Sequence, residues 1–212
     1  SDIFVDEDAP RVCTSLVAPA GAMIVRCVDL ATESRGAITI VTSSGWRPLD
    51  LVNVGDLTGD GRGEALLLAR RVDKDNFGFF TVDLATRRKL SRRAYSKPWQ
   101  PLALAADPGG APVATFLAHR RSDGRPLQRM VDPQTGEFGG NRPAFGVGWH
   151  GRAIALRTAA GEAGSVEPES VALGIDSDSG AVIAERRDAA GRRLTQTVVV
   201  PPDPTTDPPP TQ

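Results

Sequence analysis

The chain has 212 residues, 40% of them hydrophobic and 24% charged, with 25 Lys plus Arg against 26 Asp plus Glu and a net charge of −1. That length supports one large domain or two small ones around a substantial core, and the balanced charge leaves no electrostatic footprint for nucleic acid. No apolar run approaches the roughly 20 residues that span a bilayer, so membrane insertion is not expected. The 22 glycines and 17 prolines imply many turns, which favours short strands over long helices.

The chain opens on Ser1-Asp2-Ile3-Phe4, without a charged region leading into an apolar stretch. A mature secreted chain or an excised domain begins this way. Within the first segment, Cys13 and Cys27 flank the turn "APAG". Antiparallel pairing about that turn makes paired residue numbers sum to 40, which sets Cys13 opposite Cys27 and Ser15 opposite Val25. Directly opposed residues come close enough to bridge, so a disulfide and an oxidising compartment are expected. Neither cysteine has the spacing of a zinc ligand set or a redox Cys-x-x-Cys.

An internal repeat begins in the same segment. "CVDLATESRG" at Cys27 to Gly36 returns as "TVDLATRRKL" at Thr81 to Leu90, and in weaker form as "MVDPQTGEFG" at Met130 to Gly139. Trp46, Trp99 and Trp149 follow the three copies at steps of 53 and 50 residues. A fourth unit, "SVALGIDSDSGAVIAERRDAAGRRLTQTVVV", lacks the tryptophan but keeps the order of elements. The units run over 1–46, 47–99, 100–149 and 150–200, and "PPDPTTDPPPTQ" from Pro201 reads as a proline-rich linker.

Each unit reads as four short strands. In the second they are Leu49–Val54, Ala65–Arg71, Phe77–Leu84 and Lys89–Tyr95; in the third, Leu102–Ala105, Val113–His119, Leu127–Val131 and Phe138–Phe145. "EALLLARR" consists of strong helix formers. The equivalent segments "RVCTSLVAP", "PVATFLAHRR" and "SVALGIDSD" carry β-branched residues and hairpin turns, so the repeat register makes it a strand. Residues 2–32 align without a gap on 56–86, leaving the first strand of unit one short, reduced to "DIFV", or missing. Four-stranded units at this period are the signature of β-propeller blades. The predicted fold is an all-β propeller of about four blades, either a small ring or part of a larger one.

The second unit contains the stretch that points to chemistry, "VNVGDLTGDGRGEALLL" from Val52 to Leu68. From Asp56, side-chain oxygens fall at the first, third, fifth and ninth positions: Asp56, Thr58, Asp60 and Glu64. Gly61 sits at the sixth, and Arg62 at the seventh offers a backbone carbonyl. Calcium takes six to eight hard oxygen ligands, and alternating side chains on a tight turn converge on one point. An EF-hand would need a bidentate Glu at the twelfth position, which is Leu67 here, and flanking helices.

Gly55-Asp56-Leu57-Thr58-Gly59-Asp60-Gly61-Arg62-Gly63-Glu64 resembles the "GD-x-[N/T]-GDG-x-x-[D/E]" loop of FG-GAP and VCBS-type repeats in integrin-α-like propellers. The resemblance implies a structural Ca2+ held by the side chains of Asp56, Thr58, Asp60 and Glu64 and by the Arg62 carbonyl. The family usually has Asn or Asp at the third position and Asp at the ninth; Thr58 is neutral and a weaker ligand, which implies a lower affinity. The equivalent segments "DPGGAP" and "AAGEAGSVEPE" lack the ligand set, and the N-terminus keeps Asp2 and Asp6 but places Pro10 where Glu64 would fall. One site is expected, not four.

Other residues read as architecture. Trp46, Trp99 and Trp149 recur at the unit period and are expected to pack between blades. Arg92-Arg93 and Arg186-Arg187 read as solvated strand faces, and His119 and His150 as surface or packing histidines. No nucleophile elbow, Walker loop or Rossmann loop is present. The expectation is a secreted, periplasmic or cell-surface module, stabilised by calcium, that recognises a protein or glycan ligand without catalysis. The alternatives are a carbohydrate-binding propeller or accessory domain of a polysaccharide-active enzyme, and a purely structural domain tethered through its tail.

Overall fold

The computed structural model describes residues 3–6, 11–74, 76–96, 99–107, 113–138, 142–143, 145, 148–160, 166–188 and 190–202. They form four four-stranded antiparallel sheets, each a simple meander, and no helix. The first sheet comprises β1 (Ile3–Asp6), β2 (Arg11–Val17), β3 (Met23–Asp29) and β4 (Arg35–Thr42). The second comprises β5 (Trp46–Asn53), β6 (Ala65–Arg71), β7 (Phe77–Asp83) and β8 (Arg88–Tyr95). The third comprises β9 (Trp99–Ala106), β10 (Ala114–Arg120), β11 (Pro126–Val131) and β12 (Arg142–Pro143). The fourth comprises β13 (Trp149–Ala160), β14 (Val166–Asp176), β15 (Val182–Arg187) and β16 (Arg193–Val200).

The sheets stack on one another through their faces. Cys13, Met23, Val25 and Val41 of the first sheet meet Trp46, Leu51, Ala65, Leu67, Ala69, Phe80 and Val82 of the second. The opposite face of the second sheet, through Leu66, Leu68, Phe77 and Phe79, meets Trp99, Leu104, Ala114, Phe116 and Ala118 of the third. A smaller core joins Leu117 of the third sheet to Ala172 and Ile183 of the fourth. Successive side chains on a strand point to opposite faces, so a strand buried on both faces has no use for polar alternation. This explains the continuous run "ALLLA" in β6, which would pass for a helix in isolation. Leu66, Leu67 and Leu68 are all fully buried, each contributing about 1.5–3 kcal/mol by transfer from water.

Buried polar groups also join the sheets. The Thr81 hydroxyl donates to the Pro133 carbonyl, and the Gln128 amide to the Ser170 hydroxyl. Trp46, Trp99 and Trp149 open the first strand of the second, third and fourth sheets and pack into the three inter-sheet cores, as their recurrence implied. The first strands follow one another along the stack, β1 beside β5, β5 beside β9, and β9 beside β13. The arrangement is blade-like, but the described residues form no closed ring. The first strand of unit one survives as four residues. Asp2, Pro10, residues 108–112 and 161–165, and the tail from 203 lie outside the described residues.

The repeated "VD-x-x-T" segment is a turn. Asp29 and Asp83 close the third strand of the first and second sheets and Asp132 directly follows that of the third; their Oδ1 atoms accept the amides of Ala31, Ala85 and Gln134 at 2.8 Å. The residue four positions after each Asp lies in the left-handed region: Glu33 at φ 52°, Arg87 at φ 61° and Gly136 at φ 70°. Only the third copy uses the residue for which this conformation carries no Cβ penalty. Glu33→Gly is therefore expected to raise stability by about 0.5–1 kcal/mol, seen as a higher urea midpoint with an unchanged slope. A lower midpoint would mean that the Glu33 side chain makes a compensating contact.

The cysteines pair as their symmetry about the turn requires. Cys13 faces Cys27 and Ser15 faces Val25 between β2 and β3, and the two sulfurs form a disulfide. The expectation of solvated arginines needs correction at one residue. Arg187 is buried and pairs with Glu185, itself 1% exposed, on the face of its strand that also buries Ile183 against Leu117. Arg186 pairs with Glu169 at 2.8 Å, and Arg92 lies 5.8 Å from the ring centres of Trp46 and Phe80.

Candidate metal centre

The acidic loop joins β5 to β6, the first two strands of the second sheet. Backbone hydrogen bonds close its base: the Val54 amide donates to the Glu64 carbonyl and the Glu64 amide to the Gly55 carbonyl, each at 3.0 Å. Inside this clamp the chain wraps around one carboxylate. Asp56 Oδ1 accepts the amides of Thr58 (3.1 Å), Gly59 (2.6 Å) and Asp60 (3.2 Å), and Oδ2 accepts that of Gly61 (2.7 Å). So tight a reversal needs left-handed backbone at Gly59 and Gly61, with φ 77° and 78°. At Gly63 a Cβ would stand 2.5 Å from Asn53 Oδ1, so a side chain there would press on the Asn53 carboxamide, which accepts the Gly55 amide at 3.0 Å.

Asp60 Oδ1 accepts the Arg62 amide at 2.9 Å, which turns the Asp60 side chain back into the loop. Glu64, at the start of the buried run into β6, is 0% exposed. Its Oε2 accepts the Leu57 amide, and the Thr58 hydroxyl reaches its Oε1 at 3.4 Å. Carboxylate oxygens of Asp56, Asp60 and Glu64 lie within 4.8 Å of one another.

The electrostatics of this cluster are lopsided. The amides of Gly61, Gly59, Asp60 and Thr58 outweigh desolvation at Asp56 and hold its carboxyl below the usual range. Burial pushes the Glu64 carboxyl up, the Leu57 amide opposes this, and the charges of Asp56, Asp83 and Asp60 add to the rise. A buried carboxylate beside like charges is costly unless something positive joins it. A hard divalent cation with oxygen ligands fits this donor set.

The structure therefore brings Asp56, Asp60 and Glu64 together, sets the Thr58 hydroxyl against Glu64, and places Arg62 in the loop with its amide on Asp60. Leu67, the twelfth position of an EF-hand register, is instead a fully buried strand residue.

One proximity was not apparent in the sequence. His119 and His150, from adjacent sheets, have ring centroids 5.4 Å apart, and the Gly151 amide donates to His119 Nε2 at 3.1 Å. Burial lowers the His119 pKa, with His150 and Arg152 adding to the shift. At Gly151 a Cβ would lie 2.6 Å from the fully buried Leu117 side chain, which would have to shift. The pair acts as packing between the third and fourth sheets. In the sequence the two sit in different units, one at a strand end and one beside Trp149, and nothing there signals that they meet.

No protein-family model matches the chain, and no curated protein matches it in sequence.

Proposed function

We propose that the chain is a calcium-stabilised recognition module of the FG-GAP/VCBS propeller type, acting outside the cytoplasm as a secreted, periplasmic or cell-surface domain. The observation that carries this reading is the convergence of Asp56, Asp60 and fully buried Glu64 in a loop between two strands. Asp56, Thr58, Asp60 and Glu64 would hold the ion by their side chains, with the Arg62 carbonyl completing the set. The bound ion supplies charge neutralisation. The protein supplies a loop already wound around Asp56 by four amides, so little ordering remains to be done on binding. The disulfide supports an oxidising compartment, and no helix among the described residues is long and apolar enough to cross a membrane. The role is binding: a stiffened rim that presents loops to a protein or glycan.

Thermal unfolding tests this. At calcium one hundred times Kd the native state should gain about 2.7 kcal/mol, or roughly 5–10 °C in Tm for a chain of this size. Asp60→Ala should gain nothing. Glu64→Gln should invert the pattern. The raised Glu64 pKa means that the native state favours the protonated form, so this group's contribution is present below the ordinary carboxylate pKa and is lost as pH rises through the raised one. Near neutral pH in chelator Glu64→Gln should therefore melt above the native chain, and calcium should no longer raise it. Equal calcium shifts in the native chain and Asp60→Ala would place the ion elsewhere, and no shift in either would make the loop a glycine-rich turn.

A further inference from the structure

A cleft between the first and second sheets encloses about 240 Å3 beside the acidic loop. Three guanidinium-bearing residues line it: Arg11 from the start of β2, Arg62 from the loop, and Arg87 from the turn between β7 and β8. One carboxylate faces them, Asp29, whose Oδ1 is already held by the amides of Ala31 and Thr32 at 2.8 and 3.0 Å. The Thr39 hydroxyl and the apolar side chain of Leu84 complete this part of the wall.

Several arginines elsewhere are engaged locally. Arg71 pairs with Asp73, Arg120 with Asp123, Arg186 with Glu169 and Arg192 with Asp188. Arg129 lies 4.4 Å from the Phe138 ring centre. Among the described residues, the side chains of Arg62 and Arg87 make no such contact, although both border the same cavity. Arg87 is also held at φ 61°, where the corresponding turn of the third sheet carries Gly136.

We propose that this cavity binds a small ligand through a carboxylate, sulfate or phosphate group. The guanidinium fork matches such oxyanions in geometry as well as in charge. The volume falls below the roughly 300–1,000 Å3 of pockets for drug-sized ligands, so the ligand is about the size of one sugar ring or a bare oxyanion. This site does not depend on the metal reading, because none of the side chains expected to hold the ion lines it. Arg62 nonetheless ties the two sites together, as its amide holds Asp60 while its residue lines the cleft.

The test is isothermal titration of the intact chain in buffer freed of metals by chelating resin, so that failure of the calcium reading leaves it unaffected. The probes are glucuronate, inorganic sulfate and inorganic phosphate, with glucose as the uncharged control. At least one anion should bind saturably and glucose should not. The Arg62→Ala/Arg87→Ala variant should weaken that binding by about tenfold or more, because it removes two charge-assisted hydrogen-bond donors. Arg71→Ala, which removes an arginine paired elsewhere, should leave it unchanged. Both substituted residues of the double variant are in exposed turns, and an unchanged Tm in chloride would show that it folds. Arg62→Lys, which keeps the charge and loses the fork, should fall between. Tighter binding of glucuronate than of sulfate or phosphate would assign an organic acid, and the reverse order an inorganic oxyanion. Absence of saturable binding by all three anions, equal binding by the double variant, or glucose binding as well as glucuronate would overturn the proposal.

Discussion

Reduction of the Cys13–Cys27 disulfide lowers the stability of the chain by about 3 kcal/mol, the loop-closure entropy released when a cross-link spanning roughly 15 residues is lost. The two cysteines are separated by 14 residues and bridge β2 to β3 in the first sheet. The effect is expected mainly on the unfolded chain, because the seven residue pairs between these strands hold them together without the bridge. For a domain of this length it corresponds to roughly 6–12 °C in Tm. Urea titration with and without a phosphine reductant measures it, with Cys13→Ala/Cys27→Ala as the permanent equivalent. Alanine is the right replacement, since Cys13 is fully buried against Val25 and Trp46 in the inter-sheet core, and serine would bury a hydroxyl there. The slope should rise slightly as the uncross-linked chain exposes more surface on unfolding. An unchanged midpoint under reductant would mean that the sulfurs are not bridged in solution.

Phe79→Ala should cost about 3–5 kcal/mol, at the upper end of single-residue effects. Phe79 is fully buried between the second and third sheets. Its ring centre lies 5.1 Å from that of Phe116, 5.9 Å from Phe77, 6.1 Å from Tyr95 and 6.3 Å from Phe138. The surrounding rings belong to two sheets, each held by its own hydrogen-bond ladder, so the hole cannot readily collapse. Leu194→Ala on β16, where the side chain is 46% exposed, is the contrasting control and should cost less than about 0.5 kcal/mol. Equal losses at the two positions would show that the second–third core is not where stability is concentrated.

The parts of this architecture that were readable in the sequence are those in which local chemistry repeats. The "VD-x-x-T" copies mark one turn, built each time by an aspartate oxygen capping amides just ahead of it. The tryptophans mark the boundaries between successive sheets, although each opens the sheet that follows and does not close the unit before it. Residue numbers alone set Cys13 against Cys27, because a hairpin fixes its own register. The acidic loop was legible for the same reason: a short unbroken stretch, Asp56 to Glu64, carries both the oxygens and the glycines that wind the chain around them.

What was hidden depends on which faces of distant strands meet. Arg187 read as a solvated residue because the spacing of charges does not say which face of its strand is covered; in the fold it pairs with Glu185 and donates to the Gly191 carbonyl. Arg11, Arg62 and Arg87 come from three separate elements and share no motif, so their shared cavity could not be read from spacing. The helix-like composition of β6 was resolved only by analogy with its repeats; the physical reason, a core on each side of the sheet, belongs to the assembled fold. Whether a series of sheets closes on itself is hidden in the same way, since every face that packs on a neighbour is written in similar apolar residues.

The arrangement of cores has a consequence for cooperativity. The second and third sheets are gripped on both faces, whereas β16 in the fourth has every residue exposed, Val198 at 60% among them. In such a series each element is stabilised only by its neighbours, so opening should begin at β16 and travel inward. The acidic loop, the disulfide and the arginine-lined cleft all lie at the opposite side of the molecule, in the first and second sheets. Fraying of the fourth sheet can thus proceed without disturbing them, which leaves that end free to adapt while the other stays fixed.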